Sequence, residues 1–295
     1  MERFGQPLLP LNRMRREAFQ YQKQLPSDHI KNLERYLLIT SSLIPKDPTL
    51  SQFGIRHPDI QPSNIFVSRS PNSNLKIVGL VDWQHTSILP IFLLAYIPLS
   101  LQNYHDPISS SMTPPSLPEN FDGLNENQQS REKERYRRRL VHYHYCKNMK
   151  EHNKLHYAAG TEPMSRLRGR LFAMASLAWE GETLDLKYEL IRATESWKTL
   201  SGGDSTCPFV FDSEDIDETK RLVAEQREAM ELLETSQQIV GCGEDGWVPA
   251  ENYEEAMKIA KHMKEYSLAA ADSEKERNEI AEHWVFDDMD EADYM

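Results

Sequence analysis

Apolar positions recur at helical spacing in the first part of the chain, give way to β-rich runs, and then return to helical spacing. In the first part, Ile30, Leu33 and Leu37 fall on one face of a predicted helix over residues 13–43, and Pro45 ends it. The residues before the first β-rich run therefore read as a helix followed by a loop.

Two β-rich runs, Asn64–Ser68 and Leu75–Asp82, flank a turn-forming stretch at 70–74. A strand, a polar tip and a second strand predict a β-hairpin. After Trp83 the strand signals stop, and the remaining pattern is mostly helical. The predicted fold class is therefore α+β, mostly helical, with one small β-hairpin.

The helical part contains a Pro/Ser-rich loop at 108–123. Helices are predicted over 131–152, 165–178, 184–200 and 213–240. Capping-box patterns that pair Asn252 with Glu255 and Ser273 with Glu276 predict two more helices near the end of the chain.

Composition excludes several classes of protein. The 295 residues carry a formal net charge of −12, which disfavours a duplex-binding surface, and the basic run at 131–139 is interleaved with Glu like a solvated helix face. No apolar run approaches the roughly 20 residues that a membrane helix needs. The three cysteines are widely spaced, which predicts neither a disulfide framework nor a metal knuckle and favours a reducing compartment.

Two further patterns receive structural interpretations. The G-x-G-x-x-G at 241–246 follows a predicted helix rather than a strand, so it is interpreted as a helix-ending turn and not as a phosphate-binding loop. Four histidines on one predicted helical stretch have no cysteine or paired carboxylate at ligand spacing. They are interpreted as surface residues: His142, His144, His152 and His156.

The stretch around the hairpin has the residue types that phosphoryl transfer requires. That reaction needs a carboxylate to orient the attacking hydroxyl and oxygen ligands for Mg²⁺. Asp59 stands five residues before Asn64 on a loop that leads into the first strand, and Asp82 closes the second strand. The spacing predicts that Asp59 faces the acceptor while Asn64 and Asp82 hold the metal.

These residues also carry a family resemblance. HPDIQPSN at 57–64 resembles the HxDxxxxN catalytic loop of kinase-like phosphotransferases, and LVDWQH at 80–85 resembles the metal-binding segment of the aminoglycoside phosphotransferase branch. The longer stretch 55–90 is similar to fungal members of that branch, the group related to altered inheritance of mitochondria protein 9. The residues at 246–249 and 283–288 resemble the C-terminal extension of that group.

The resemblance implies a protein-kinase-like C-lobe with a helical C-terminal extension. It implies that Asp59 is the catalytic aspartate, that His57 braces its loop, and that Asn64 and Asp82 bind Mg²⁺ against the phosphates of ATP. The implied reaction transfers a phosphoryl group from ATP to a hydroxyl of a small-molecule or protein acceptor. The family's ATP-gripping β-lobe has no counterpart in the 56 residues before His57, so we expect that lobe to be missing and ATP binding to be impaired.

The predicted domains are a kinase-like C-lobe at 1–205, a helical extension at 206–286 and an acidic tail at 287–295. The alternative to a phosphotransferase is a non-catalytic, pseudokinase-like remnant or an incomplete gene model, which acts as a protein-interaction module through the helical extension. The resemblance implies a mitochondrial location. A cytoplasmic location is the alternative, because the N-terminal residues form no convincing presequence.

Overall fold

A computed structural model describes residues 25–69, 75–98, 101–103, 106–177, 183–203, 205–242, 248–282 and 284–287. The chain forms two compact units, the first made of residues 1–36, 177–195 and 208–295, and the second of residues 37–176 and 196–207. The predicted helical start at 13–24, the hairpin tip at 70–74 and the acidic tail beyond Asp287 lie outside the described residues.

The described residues are mostly helical, with two small antiparallel sheets of two strands each. This architecture confirms the predicted α+β, mostly helical class. Within the described ranges, no helix is both long and apolar enough to cross a membrane.

The first unit is helical. Its elements are most of α1 (Pro26–Ile39), α7 (Leu184–Glu195), α9 (Ser213–Val240), α10 (Tyr253–Ala270) and α11 (Glu274–Glu282). Helix α7 packs against α9 with Leu190 and Ile191 fully buried, and Lys187 bonds Asp215 at 2.5 Å. The helix predicted over 213–240 is confirmed at both ends.

The ends of these helices test the predicted caps. Gly241 has a φ of +80° and closes α9, so the glycine turn is confirmed there, while 243–247 lie outside the described residues. Ser273 Oγ accepts a hydrogen bond from the Glu276 backbone N at 3.1 Å and begins α11. The cap predicted at Asn252 is wrong, because that residue is itself in a helical turn and its side chain makes no cap bond.

The second unit contains both sheets and the remaining helices. Strands β1 (Phe53–Ile55) and β4 (Ile88–Pro90) form one sheet, and β2 (Ile65–Ser68) and β3 (Lys76–Leu80) form the other. The helices are α2 (Ile91–Leu94), α3 (Pro107–Ser110), α4 (Glu126–His152), α5 (Lys154–Thr161), α6 (Ser165–Ser176) and α8 (Trp197–Leu200).

The predicted hairpin is confirmed as the β2–β3 ribbon, whereas the β1–β4 sheet was not predicted. Strand signals did not stop at Trp83, and the segment before residue 57 is not only helix and loop. Each of these strands has three residues, and the partner lies more than 30 positions away. Periodicity within so short a run carries no signal, so only the tertiary pairing defines the sheet.

Helix α2 follows β4 directly and packs against β1, α5 and α6. Gly54 in β1 permits this approach, since a Cβ built on it would lie 2.8 Å from Ile91 Cδ1. The sheet that frames the candidate site is therefore anchored on the helical part of the second unit.

Helix α4 bears the predicted solvated charges, with Arg135 bonded to Glu132 at 2.6 Å and Arg137 to Glu134 at 2.7 Å. Two of the four histidines depart from the surface interpretation. His142 is 3% exposed on the inner face of α4, and the ring nitrogen Nε2 of His156 in α5 is buried. The interpretation was wrong because a charged helix still turns one face to the core.

Candidate active site

The residues of both sequence motifs lie on two loops that cross between the two sheets. One loop (56–64) connects β1 to β2, and the other (81–87) connects β3 to β4. Because β1 pairs with β4 and β2 pairs with β3, both loops run between the same two sheets. The pairing therefore brings the two motifs side by side, although 15 residues (65–79) lie between them in sequence.

The backbone of Val81 joins the two loops. Its N–H donates to the Asn64 carbonyl at 3.1 Å, and its carbonyl accepts a hydrogen bond from His57 Nε2 at 2.7 Å. A carbonyl only accepts, so His57 carries its proton on Nε2. The unprotonated Nδ1 then accepts the Asp59 backbone N–H at 3.2 Å. His57 thus connects the residue before Asp82 to Asp59 itself.

A small hydrogen-bond network orients the Asp59 carboxylate. Asn64 Nδ2 donates to the Asp59 carbonyl at 2.9 Å and to its carboxylate Oδ2 at 3.2 Å. Gln61 Nε2 donates to the same Oδ2 at 2.6 Å. The carboxylate is exposed at the surface of the loop, while Asn64 is 7% exposed beneath it. Because the side chain is exposed and its second oxygen makes no hydrogen bond with the described residues, that outward oxygen is available to a proton-bearing substrate atom.

Asp82 has an unusual backbone conformation, with a φ of +66°. Left-handed conformations are rare for residues with a side chain, although Asp and Asn adopt them more readily than most. The turn ends β3 and directs the chain toward β4. Asp82 is exposed, and its carboxylate makes no hydrogen bond or ion pair with the described residues.

The donors fit a magnesium ion better than a metal with soft or imidazole ligands. Asn64 uses its Nδ2 on Asp59, which leaves the amide oxygen Oδ1 available, and Asp82 adds an unengaged carboxylate. Mg²⁺ is commonly held by one or two such oxygens with phosphates and water completing the shell. Among the residues that the structure describes, no group of three or more His, Cys, Asp or Glu could hold a metal.

Trp83 packs on the site rather than taking part in its polar network. Its ring centroid lies 4.8 Å from that of His57, tilted by 58°, and its Nε1 donates to the Leu80 carbonyl at 3.2 Å. The indole thereby covers one side of the imidazole. It limits the water that can compete for the His57–Val81 hydrogen bond.

Two residues with structural roles at the site were not singled out from the sequence. Val81 acts through its backbone, which no side-chain pattern reveals. Arg56, next to His57, donates to the Leu94 carbonyl and lies 3.8 Å over the Tyr96 ring. Its position immediately before the motif is the one signal that could have identified it.

The β2–β3 ribbon beside the site exposes large apolar side chains on both faces. Ile77 and Val78 point to opposite sides of β3 and are 63% and 60% exposed. Phe53 and Ile88 of the other sheet are 73% and 70% exposed. Both sheets next to the candidate site therefore expose large apolar side chains.

Comparison with known proteins gives distant relatives. The chain is 25% identical over 270 residues to a subtelomeric hrmA-associated cluster protein of Aspergillus fumigatus strain CEA10, and equally similar to one from strain Af293. The matched region covers 90% of this chain but only 51% of each relative, so the chain spans about half of their length. No family model matches the chain, and no solved structure matches it.

Proposed function

We propose that the second unit is the catalytic part of a kinase-like phosphotransferase, which moves a phosphoryl group from ATP to a hydroxyl of an acceptor molecule. The observation that supports the proposal most strongly is the pair of hydrogen bonds at the Val81 backbone. They hold the loop of Asp59 and Asn64 against the residue that precedes Asp82. Phosphoryl transfer depends on such positioning and on electrostatics more than on covalent chemistry of the protein.

In the proposed reaction, the outward oxygen of Asp59 accepts a hydrogen bond from the acceptor hydroxyl and orients it toward the terminal phosphate. Gln61 and Asn64 keep the carboxylate in that orientation through its other oxygen. Asn64 and Asp82 are the residues that would hold Mg²⁺. A bound Mg²⁺ supplies positive charge that offsets the charge on the transferring phosphoryl group.

The nucleotide needs contacts beyond these residues. The described residues before His57 form α1, the short 3₁₀ turns Thr40–Leu43 and Pro48–Ser51, and β1. In the proposal, residues of this chain outside the described part supply the remaining contacts to ATP. The exposed apolar faces of the two sheets, beside the site, give such a segment a surface to cover.

A specific observation favours the alternative function, a protein-interaction module without catalysis. In the helical extension, Leu232 and Ile239 are seven residues apart on one face of α9 and are 64% and 55% exposed. An apolar stripe of this kind can receive an amphipathic partner helix. Under this alternative, Asp59 and Asp82 would serve only the structure of their loops.

The mitochondrial location implied by the family resemblance is part of the proposal, and a cytoplasmic location is its alternative. Fractionation of cells that express the full-length protein with a C-terminal tag separates the two. Recovery in the mitochondrial fraction supports the first, and recovery in the cytosol supports the second.

The proposed function is tested by thermal unfolding of the purified chain with increasing Mg-ATP. A ligand that binds only the folded state raises Tm by an amount that grows with its concentration. We expect this rise in the wild type and its loss in Asp82→Asn. Asp122→Asn, an exposed aspartate of the same unit, is the matched control and should behave like the wild type.

Two results contradict the proposal. One is a wild-type chain that melts cooperatively but shows no rise in Tm up to millimolar Mg-ATP. The other is a rise that persists in Asp82→Asn, because the nucleotide would then bind away from the proposed metal ligands.

A further inference from the structure

The second unit contains a cavity of about 730 Å³ that is lined in part by Arg56, the first residue of the loop that carries Asp59. Volumes of a few hundred to a thousand Å³ are typical of small-molecule sites. Its apolar lining comes from the β1–α2 region and from α4: Ile55, Ile91, Leu94, Leu140, Val141 and Met149. The cavity is therefore large enough, and apolar enough, to bind the hydrocarbon or aromatic body of a small ligand.

This cavity is separate from the proposed catalytic site. Its described lining includes neither Asp59 nor Asn64 nor Asp82. It reaches the catalytic loop only through Arg56, which precedes His57 in the chain. A ligand here would therefore contact that loop at its first residue and not at the carboxylates of the proposed catalytic site.

The polar groups of the lining give the cavity a positive character. Arg56 is the only lining residue with a permanent charge, and the described lining contains no Asp or Glu. Its guanidinium is held in place by the Leu94 carbonyl, the Tyr145 hydroxyl at 3.5 Å and the Tyr96 ring. A positive charge held beside an apolar surface favours an anionic ligand over an uncharged ligand with the same apolar body.

His156 also contributes to the lining of the cavity. Its ring nitrogen Nε2 is buried and does not itself face the cavity. Burial, and next the nearby Arg56 charge, lower the pKa of His156 to about 4, so the ring is neutral at pH 7. The charge of the described lining at pH 7 therefore comes from Arg56.

We propose that this cavity binds a small amphipathic carboxylate, with its apolar body against α4 and β1 and its carboxylate near Arg56. Arg56 supplies the charge that attracts the carboxylate. The proposal does not depend on phosphotransferase activity, because none of its contacts involves the proposed metal ligands.

Calorimetric titration of the whole chain with phenylbutyrate tests the proposal, with phenylbutanol as an uncharged ligand of the same apolar body. At pH 7 we expect the carboxylate to bind at least about tenfold more tightly than the alcohol. Leu140→Trp fills the cavity and should abolish binding of both. Arg56→Gln should remove the preference for the carboxylate, whereas Lys147→Gln, which removes an exposed charge from α4, should leave it unchanged.

His156 gives a second readout. A carboxylate bound beside it should raise its pKa, which NMR follows through the ring proton signals with and without phenylbutyrate. Circular dichroism establishes that each variant is folded. If Arg56→Gln fails to fold, the affinities of the two ligands for the wild type and for Leu140→Trp still test the proposed binding site.

Three results overturn the proposal. The first is the absence of saturable binding of either ligand to the folded wild type. The second is equal affinity for carboxylate and alcohol. The third is unchanged binding to folded Leu140→Trp, which would place the ligand elsewhere.

Discussion

At the scale of single residues, the candidate site depends on a backbone group more than on its acidic side chains. Val81 contributes an N–H and a carbonyl, and each is bonded to a different residue of the catalytic-loop motif. His57 is 4% exposed and uses both ring nitrogens in this arrangement. Its loss would leave two backbone groups of the site without partners.

The first prediction concerns His57→Phe, which keeps an aromatic ring against Trp83 but removes both hydrogen bonds. We expect a loss of about 1–3 kcal/mol in the free energy of unfolding, since the Val81 carbonyl and the Asp59 N–H lose their partners. Urea unfolding measures the change. His152→Phe alters an exposed histidine and should stay within about 0.5 kcal/mol of the wild type. Similar values for the two variants would contradict the role of His57.

The second prediction concerns the left-handed conformation of Asp82. Asp82→Asn keeps a side chain that tolerates a φ of +66°, so its stability should stay within about 0.5 kcal/mol of the wild type. Asp82→Ala should lose about 1 kcal/mol, and Asp82→Gly should equal or exceed the wild type. Chemical denaturation of the three variants checks this order. If Ala is as stable as Gly, the backbone there is not strained.

At the scale of elements, the second unit depends on a close approach of α2 and α5. Gly160 of α5 faces the carbonyl of Ala95, and a Cβ added to it would lie 3.0 Å from that oxygen. Helix propensity alone favours Ala over Gly in a helix. Here the packing opposes the propensity, because the contact is with a backbone atom that has little freedom to move.

The third prediction compares two glycines of neighbouring helices. Gly160→Ala should destabilise the protein by about 1 kcal/mol or more because of the contact with the Ala95 carbonyl. Gly169 of α6 has no atom within 4 Å of an added Cβ, so Gly169→Ala should stabilise it by up to about 1 kcal/mol. Thermal or urea unfolding gives both values. Stabilisation by both substitutions would mean that α2 and α5 are not in close contact.

At the scale of the whole molecule, buried histidines make stability depend on pH. Burial lowers the pKa of His29 in the first unit and of His142 and His156 in the second, the last to about 4 with a further contribution from Arg56. Unfolded histidine titrates near pH 6.5. Between the two values the unfolded chain binds more protons than the folded one, so stability falls as the pH falls.

The fourth prediction follows from this fall of stability with falling pH. The free energy of unfolding should decrease steadily as the pH is lowered from about 6.5 to about 4, and His156→Phe should flatten this slope. The hydrogen bond from Arg139 is the first cause that lowers the pKa of Asp106. Protonation of Asp106 therefore destabilises the folded chain only at a pH below this range. Urea midpoints at several pH values measure the slope. His152→Phe is the control. If stability falls with pH equally steeply in His152→Phe and His156→Phe, His156 is not a source of the pH dependence.

The longer helices of both units followed from local patterns, whereas the short helices α2, α3 and α5 were not predicted. The helix at 213–240 could be bounded from its cap and its terminal glycine, and the hairpin from two β-rich runs around a polar tip. The motif spacing alone indicated Asp59, Asn64 and Asp82 as candidates. Each of these signals lies within a few adjacent residues, where backbone geometry and side-chain periodicity are decisive.

The tertiary structure decided the features that depend on distant pairings. The β1–β4 sheet, the Val81 hydrogen bonds and the burial of His142 join residues that are 17 or more positions apart. The cavity likewise forms only when β1, α2, α4 and α5 assemble. The sequence by itself determined the long helices, the β-hairpin and the candidate residues, because those depend on local backbone preferences and short motifs. Only the folded chain decided which of them meet, because hydrogen bonds and burial between distant segments depend on how the elements pack.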